Sequence, residues 1–359
     1  MRLPAAASLA VLAAALPAAA PAPGPVAPFD HVIVVSVDGL RPDAIDGPED
    51  GDLPAFRRLQ RGPHTLQARA DPTYTITLPN HVGMVTGRIL SGPDGHGWKL
   101  NDDPPAARDG GTIQAARGFY VPSMFDVAHD RGVRTQVVAT KTKFSLFVQS
   151  WDETNGAPDQ VEPDNGRAKI DAFAYVRNAG DAAALATQML RGSTGRTLTF
   201  LHLGDPDFVG HAEGWVMTPG SAYRKAVADC DAALGKLFQA IDAEPRLRGH
   251  VAIVLTADHG GGKPLRSHVQ PREPEDFLVP FLVWMGQDGE AQELLALNAD
   301  RRLVVPAGEY VPAERTPAPI RNAEAGNTAL QLMGLPAIPG STANGKQDLL
   351  LGTPPEAAK

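Results

Sequence analysis

Short runs of β-branched and aliphatic residues alternate along this chain with longer stretches whose apolar positions recur every three or four residues. The run HVIVVSVDG at 31–39 is apolar at consecutive positions and stops at a glycine, the pattern of a parallel strand buried on both faces. Four similar runs follow: TQVVAT at 135–140, TLTFLHL at 197–203, VAIVLT at 251–256 and FLVPFLVW at 277–284. Helical patterns separate them, VPSMFDVAHDRG at 121–132, DAAALATQMLRG at 181–192, and a segment in which Tyr223, Val227, Cys230, Leu234, Leu237 and Ile241 form one stripe. The alternation predicts a three-layer α/β/α fold, with a mainly parallel central sheet and helices on both faces. No repeat, linker or change of composition divides the body, so residues 29–352 are expected to form one domain.

The first residues differ. Met1-Arg2-Leu3 precedes an apolar run from Ala5 to Leu16, then small residues to Ala20 and a Pro/Ala stretch to Pro28. This is the pattern of a secretory signal, over about residues 1–22, and it predicts a secreted or periplasmic protein. Nothing later in the sequence approaches the roughly 18 apolar residues of a membrane span. The single cysteine, Cys230, excludes an intramolecular disulfide, and its place on the apolar stripe makes it a core residue. A net charge of −8 argues against nucleic acid or anionic lipid as a partner for the surface as a whole. A small anionic substrate therefore needs local positive charge. The oligomeric state is left open.

Ligands of such sheets bind beyond the carboxyl ends of the strands, and loops at 92–111 and 152–168 are long enough to cover a site there. The first strand ends at Asp38, the 197–203 strand runs into GDPDFVGH, and the 251–256 strand runs into ADHGGG. Asp207 and His211 are one helical turn apart. Asp258 and His259 are adjacent, and the glycines at 260–262 let the backbone turn closely. His268 is the one histidine further downstream. Three aspartates and three histidines without thiolate suit zinc or a similar ion better than calcium or magnesium. Two such ions against three carboxylates leave about one positive charge, the local attraction that the acidic surface lacks. The other histidines are expected to be structural: His129 on a helix face, His31, His202 and His250 on or beside strands, and His64 in a polar loop.

The segment PTYTITLPNHVGMVTG at 72–87 places Thr73, Thr75 and Thr77 on one face if it is extended. Pro79 fits the first position of a helix. A helix N-terminus stabilises an anionic oxygen or a phosphate, which favours Thr77 as a nucleophile.

Taken in order, VSVDGLRPD, TLPNHVGMVTG, GHG, DPDFVGH and TADHGG with a later histidine resemble the type I phosphodiesterase/nucleotide pyrophosphatase branch of the alkaline phosphatase superfamily, over about 36–340. The resemblance implies an alkaline-phosphatase-like catalytic domain with two divalent ions, expected to be zinc. It implies that Asp38, Asp258 and His259 hold one ion together with the nucleophile Thr77, and that Asp207, His211 and His268 hold the other. Val269 stands where the family has a glycine after the last histidine. Asn101, five residues after His96, matches an asparagine that donates to a non-bridging phosphoryl oxygen; the alternative is a turn residue. The implied activity is hydrolysis of a small phosphate diester through a covalent phosphothreonine. A phosphomonoesterase of the same superfamily is the alternative, and a non-catalytic metal-stabilised phosphate-binding protein is a third.

Two departures bear on the substrate. Leu78 follows Thr77, where nucleotide pyrophosphatases commonly have a phenylalanine that stacks on a base. Lys141 and Lys143, in VATKTKFSLF, resemble the Lys-x-Arg pair of certain threonine-nucleophile phosphomonoesterases, which assigns Lys141 to substrate binding; the alternative is two solvated loop lysines. The sulfatase branch is excluded by the lack of a C-x-P-x-R or S-x-P-x-R element. The phosphoethanolamine transferases, which carry several membrane spans, are excluded by the lack of any span.

Overall fold

At the centre of an eight-stranded sheet lies the first strand of the chain, β1 (His31–Val37). The computed structural model describes residues 28–47, 53–103, 105 and 108–352, and the segment expected to be a secretory signal lies outside them. The other strands are β2 (Pro63–Arg69), β3 (Arg134–Ala139), β4 (Ala172–Tyr175), β5 (Thr197–Leu203), β6 (Val251–Thr256), β7 (Leu278–Met285) and β8 (Gln292–Glu293). Their order is β4-β3-β5-β1-β6-β7-β2-β8. Neighbours are parallel except where β7 pairs with β6 and with β2. The sheet is thus mainly parallel, as its sequence predicts. Every position of β1, β5 and β6 is buried, which is why these strands read as unbroken apolar runs.

The reversal of β7 is not legible in its composition. After β6 the chain stays at the carboxyl edge of the sheet, passes a glycine-rich turn and a short helix, Pro274–Phe277, and re-enters from that edge. No crossover returns it to the opposite edge, so the pairing is antiparallel.

The helices used below are α1 (Pro54–Gln60), α2 (Thr77–Thr86), α3 (Met124–His129), α4 (Ala179–Arg191), α5 (Asp205–Glu213), α6 (Ala222–Ala243) and α7 (Ala325–Leu332). One layer is formed by α1, α4, α5 and α6, and the other by α2, α3 and α7. All six residues of the α6 stripe are buried, Cys230 among them, and burial pushes its thiol up, away from the reactive thiolate. His31 lies in β1 against Thr197, His129 ends α3 and His202 lies in β5. His64 departs from expectation: it belongs to β2 rather than to a loop, a strand that opens on Pro63 and mixes half-buried polar positions into its pattern. No helix among the described residues is long and apolar enough to cross a membrane.

Candidate metal centre and active site

The three central strands end level with one another, since Val37 pairs with Leu203 and Ser36 with Thr256. The residues that follow, Asp38, the start of α5, and Asp258 with His259, therefore meet at one edge. Gly39 makes the approach possible. Its φ is +69°, and a Cβ there would stand 3.1 Å from Asp207 Cα. The Gly39 N–H donates to Asp258 Oδ1 at 3.1 Å, and its carbonyl accepts from Trp215 Nε1 at 2.9 Å. Gly260 is just as confined, because a Cβ would lie 2.1 Å from the Glu275 carbonyl oxygen.

All six acid and imidazole groups singled out in the sequence come together here. Ligand atoms of Asp207, His211 and His268 lie within 4.8 Å of one another, as do those of Asp38, Asp207 and His259. Asp258 Oδ2 is 3.0 Å from His259 Nε2. The His259 ring stacks on His268 with centroids 3.5 Å apart. His211 Nε2 and His268 Nε2 face each other at 3.2 Å, while their Nδ1 atoms turn to the carbonyls of Arg266 and Thr75. Two Nδ1–H donors so occupied leave the Nε2 lone pairs pointing at each other and at Asp207 Oδ1, 3.4 and 3.8 Å away.

The donor set fits divalent ions. Asp38 Oδ1, Asp207 Oδ1 and Asp258 Oδ2 are buried and have no hydrogen-bond donor. Three such oxygens in one place are rare without a cation to share. A positive charge already answers part of this demand: the Lys141 ammonium bridges Asp38 Oδ2 and Asp207 Oδ2, at 2.6 Å from each. Burial works against the Lys141 charge, but the two carboxylates outweigh it and raise its pKa. Burial likewise opposes ionised Asp38, yet Lys141 and then His202 hold its carboxyl well below the usual range. His259 shows the same excess of negative charge, since Asp258 overcomes burial and pushes the ring up to about 9.

Lys141 and Lys143 are accordingly not solvated loop residues. Both are buried at the end of β3, Lys141 between the aspartates and Lys143 at 3.3 Å from the carbonyl oxygens of Asn101.

The three threonines separate. Asp71 Oδ1 accepts from the N–H groups of Thr73 and Tyr74, which turns the segment, so it is not the extended strand that would give all three one face. Thr73 is exposed, and the hydroxyl of Thr75 donates to the His268 carbonyl. The Thr77 hydroxyl lies 3.5 Å from His259 Nε2. Thr77 itself is the first residue of α2 and Ile76 its N-cap, which puts Pro79 at the third position and not the first. Asn101 Oδ1 accepts from the Leu78 N–H at 3.0 Å, and Leu78 is buried.

Several supporting contacts have no signal in the sequence, even where the residues themselves were named. His202 donates through Nε2 to Asp38 Oδ2 at 2.8 Å, while Thr140 Oγ1 meets its Nδ1 at 3.0 Å and Phe144 packs on the ring. Thr75 and His268 bond reciprocally, side chain to backbone in both directions. Asn322 Nδ2 reaches the carbonyls of Ala257 and Asp258 and also Asn80 Oδ1, tying α2 to the end of β6. None of these has a local motif; each hydrogen-bonded pair is joined across 62 to 242 positions of sequence.

The His202 bond yields a prediction. Outer partners of metal ligands set their orientation, so His202→Ala is expected to weaken metal binding about 10- to 100-fold. Titration against a chelator of known affinity checks it; unchanged affinity would mean that Lys141 and the backbone suffice to hold Asp38.

Comparison with known proteins adds the following. The model of a family described as type I phosphodiesterase / nucleotide pyrophosphatase matches residues 32–273. A search of curated proteins finds no match. Among solved structures, a protein of the alkaline phosphatase superfamily from Vibrio parahaemolyticus superposes with a TM-score of 0.55 at 14% identity, over 92% of this chain and 72% of that one. The C-terminal periplasmic domain of EcEptC from Escherichia coli gives 0.53 at 13% identity, over 87% and 84%. Murine ectonucleotide pyrophosphatase / phosphodiesterase 5 is 21% identical with a TM-score of 0.43, over 64% of this chain and 57% of that one.

Proposed function

Because the chain belongs to the type I phosphodiesterase / nucleotide pyrophosphatase family, we propose that it is an exported two-metal phosphodiesterase that works through a covalent phosphothreonine on Thr77. The observation that carries this reading is the convergence of three donor-less carboxylate oxygens with the Thr77 hydroxyl at one strand edge. Asp38, Asp258 and His259 would hold one zinc ion beside Thr77, and Asp207, His211 and His268 the other. Bound there, the ions supply Lewis-acid charge that makes a hydroxyl acidic near neutral pH and stabilises a departing oxygen.

The chain's own groups do the rest. Thr77 Oγ1 loses its proton and forms a bond to phosphorus as the ester oxygen leaves with its electron pair. Water then cleaves the phosphothreonine and regenerates the hydroxyl. The Asn101 carbonyl is engaged by the Leu78 N–H, so its amide N–H groups are free to donate to a non-bridging phosphoryl oxygen. A neutral donor there suits a diester, which carries less charge than a monoester. Leu78 is buried, so no ring from that position stacks on a base.

The phosphomonoesterase reading is favoured by one observation, the two buried lysines of the site, Lys143 beside Asn101 and Lys141 between Asp38 and Asp207. Lys141 is the group that a more highly charged monoester would draw away from the aspartates. Metal analysis together with rates on bis-p-nitrophenyl phosphate and p-nitrophenyl phosphate tests both. Two zinc ions per chain and a diester preference are expected; a monoester preference shifts the assignment to the lysines, and a protein that binds no metal overturns it.

A further inference from the structure

The segment that brings His268 to the site is fastened at both ends by one carboxylate that the mechanism does not use. Asp276 lies in the short helix Pro274–Phe277 and is fully buried. Its Oδ1 accepts from the Lys263 N–H at 3.2 Å and its Oδ2 from the Gln270 N–H at 3.0 Å, so residues 263–270 form a loop whose two ends meet at a single side chain. The partners are backbone N–H groups rather than a cation, and burial pushes the Asp276 carboxyl up to about 6 against the pull of the Gln270 and Lys263 N–H groups. Burying such a charge is costly, and the two loop ends are what it holds.

The loop supplies more than His268. Its Arg266 carbonyl meets His211 Nδ1 at 3.1 Å, its Leu265 carbonyl accepts from the Trp215 N–H at 3.0 Å, and His268 bonds Thr75 in both directions. Two of the three side chains in the Asp207, His211 and His268 group are thus oriented through residues 263–270. Asp38, Asp258 and His259 are set instead by the ends of β1 and β6. The turn after His259 does bond to the same short helix, but through main-chain groups: the carbonyls of Asp276 and Glu275 accept from the N–H groups of Gly260 and Gly261 at 2.9 and 2.6 Å. Those bonds do not depend on the Asp276 side chain, whose own bonds are to the loop. We propose that Asp276 is a positioning residue which, through this loop, fixes the His211 and His268 end of the metal centre and not the other. This rests on the two-metal reading for what the imidazoles hold, and on the loop's own bonds for how they are held.

The test compares the full wild-type chain with two variants. Asp276→Asn keeps the size of the side chain but turns one acceptor into a donor facing an N–H. Glu275→Gln changes a carboxylate that touches the same loop only through Lys263 Nζ, at 3.5 Å. Competitive zinc titration of wild type is expected to show two ions per chain. In Asp276→Asn one ion should bind about 10- to 100-fold more weakly and the other within about twofold of wild type, while Glu275→Gln should match wild type, its ion pair being exposed. Weakening of both ions alike, or of neither, overturns the proposal. Amide hydrogen exchange reads the loop without any metal. In the stripped wild type the Lys263 and Gln270 N–H groups should exchange at least about 10-fold more slowly than those of Leu265 and Val269 on the same loop, and Asp276→Asn should lose that protection while β1 and β6 keep theirs. Should the Asn variant fail to fold, the wild-type pattern decides: unprotected Lys263 and Gln270 amides overturn the proposal. A wild type that binds no zinc yet shows this protection would instead remove the two-metal reading and leave the closure of the loop by Asp276 standing.

Discussion

Thr77→Ala is expected to lower turnover of the preferred ester by at least about 10³-fold, the scale on which removal of a covalent nucleophile acts. The side chain is small and sits at the first position of α2, where its loss leaves the helix, Asn101 and the six acid and imidazole residues in place. Metal content and melting temperature should therefore stay near wild type. A kinetic loss with no structural loss is the diagnostic combination. Acid quenching during turnover of a phosphorus-labelled ester should trap label on the wild-type chain and none on the variant. Thr75→Val provides the contrast: it removes the hydroxyl that bonds the His268 carbonyl but leaves the nucleophile, so label should still be trapped while metal affinity falls. If Thr77→Ala turns over as fast as wild type, the covalent mechanism is dead whatever the metal content.

The parts of this molecule that the sequence exposes are those in which local pattern and final environment coincide. β1, β5 and β6 are buried on both faces, so nothing interrupts their apolar runs, and the acid and imidazole residues just past their ends are conspicuous by contrast. β4 and β8 have no such pattern, being four and two residues long at the two edges of the sheet. β2 is hidden by the proline that opens it and by its half-buried His64 and Leu66. The same logic holds for the site. Asp207 and His211 announce themselves through helical spacing, whereas His202 is one polar residue inside a strand and gains meaning only when β1 brings Asp38 alongside. Lys141 is the sharpest case. In sequence it is a lysine after a strand, and only the register of β3, β5 and β1 places its ammonium between two carboxylates.

That placement leads to the second large effect. Stripping the protein with a chelator is expected to abolish turnover by about 10³-fold or more, and adding zinc should restore it. The fold should survive stripping, because Lys141 still answers Asp38 and Asp207. Lys141→Met removes that support. Breaking a buried ion pair by deleting one partner costs about 3–5 kcal/mol, since the remaining charge is left uncompensated, and here two carboxylates are left at once. Divalent ions on the same two carboxylates compensate them, so the loss should fall mainly on the stripped protein. The variant is therefore expected to show a wider gap between its metal-loaded and stripped melting temperatures than wild type does. It should also bind metal more tightly, because no ammonium then offsets the negative charge of Asp38 and Asp207. Melting curves with and without chelator, and a competitive zinc titration, read both quantities. Equal gaps and equal affinities would mean that the ammonium on the Oδ2 atoms and the ions on the Oδ1 atoms do not feel one another, and the proposed linkage between Lys141 and metal binding would fall.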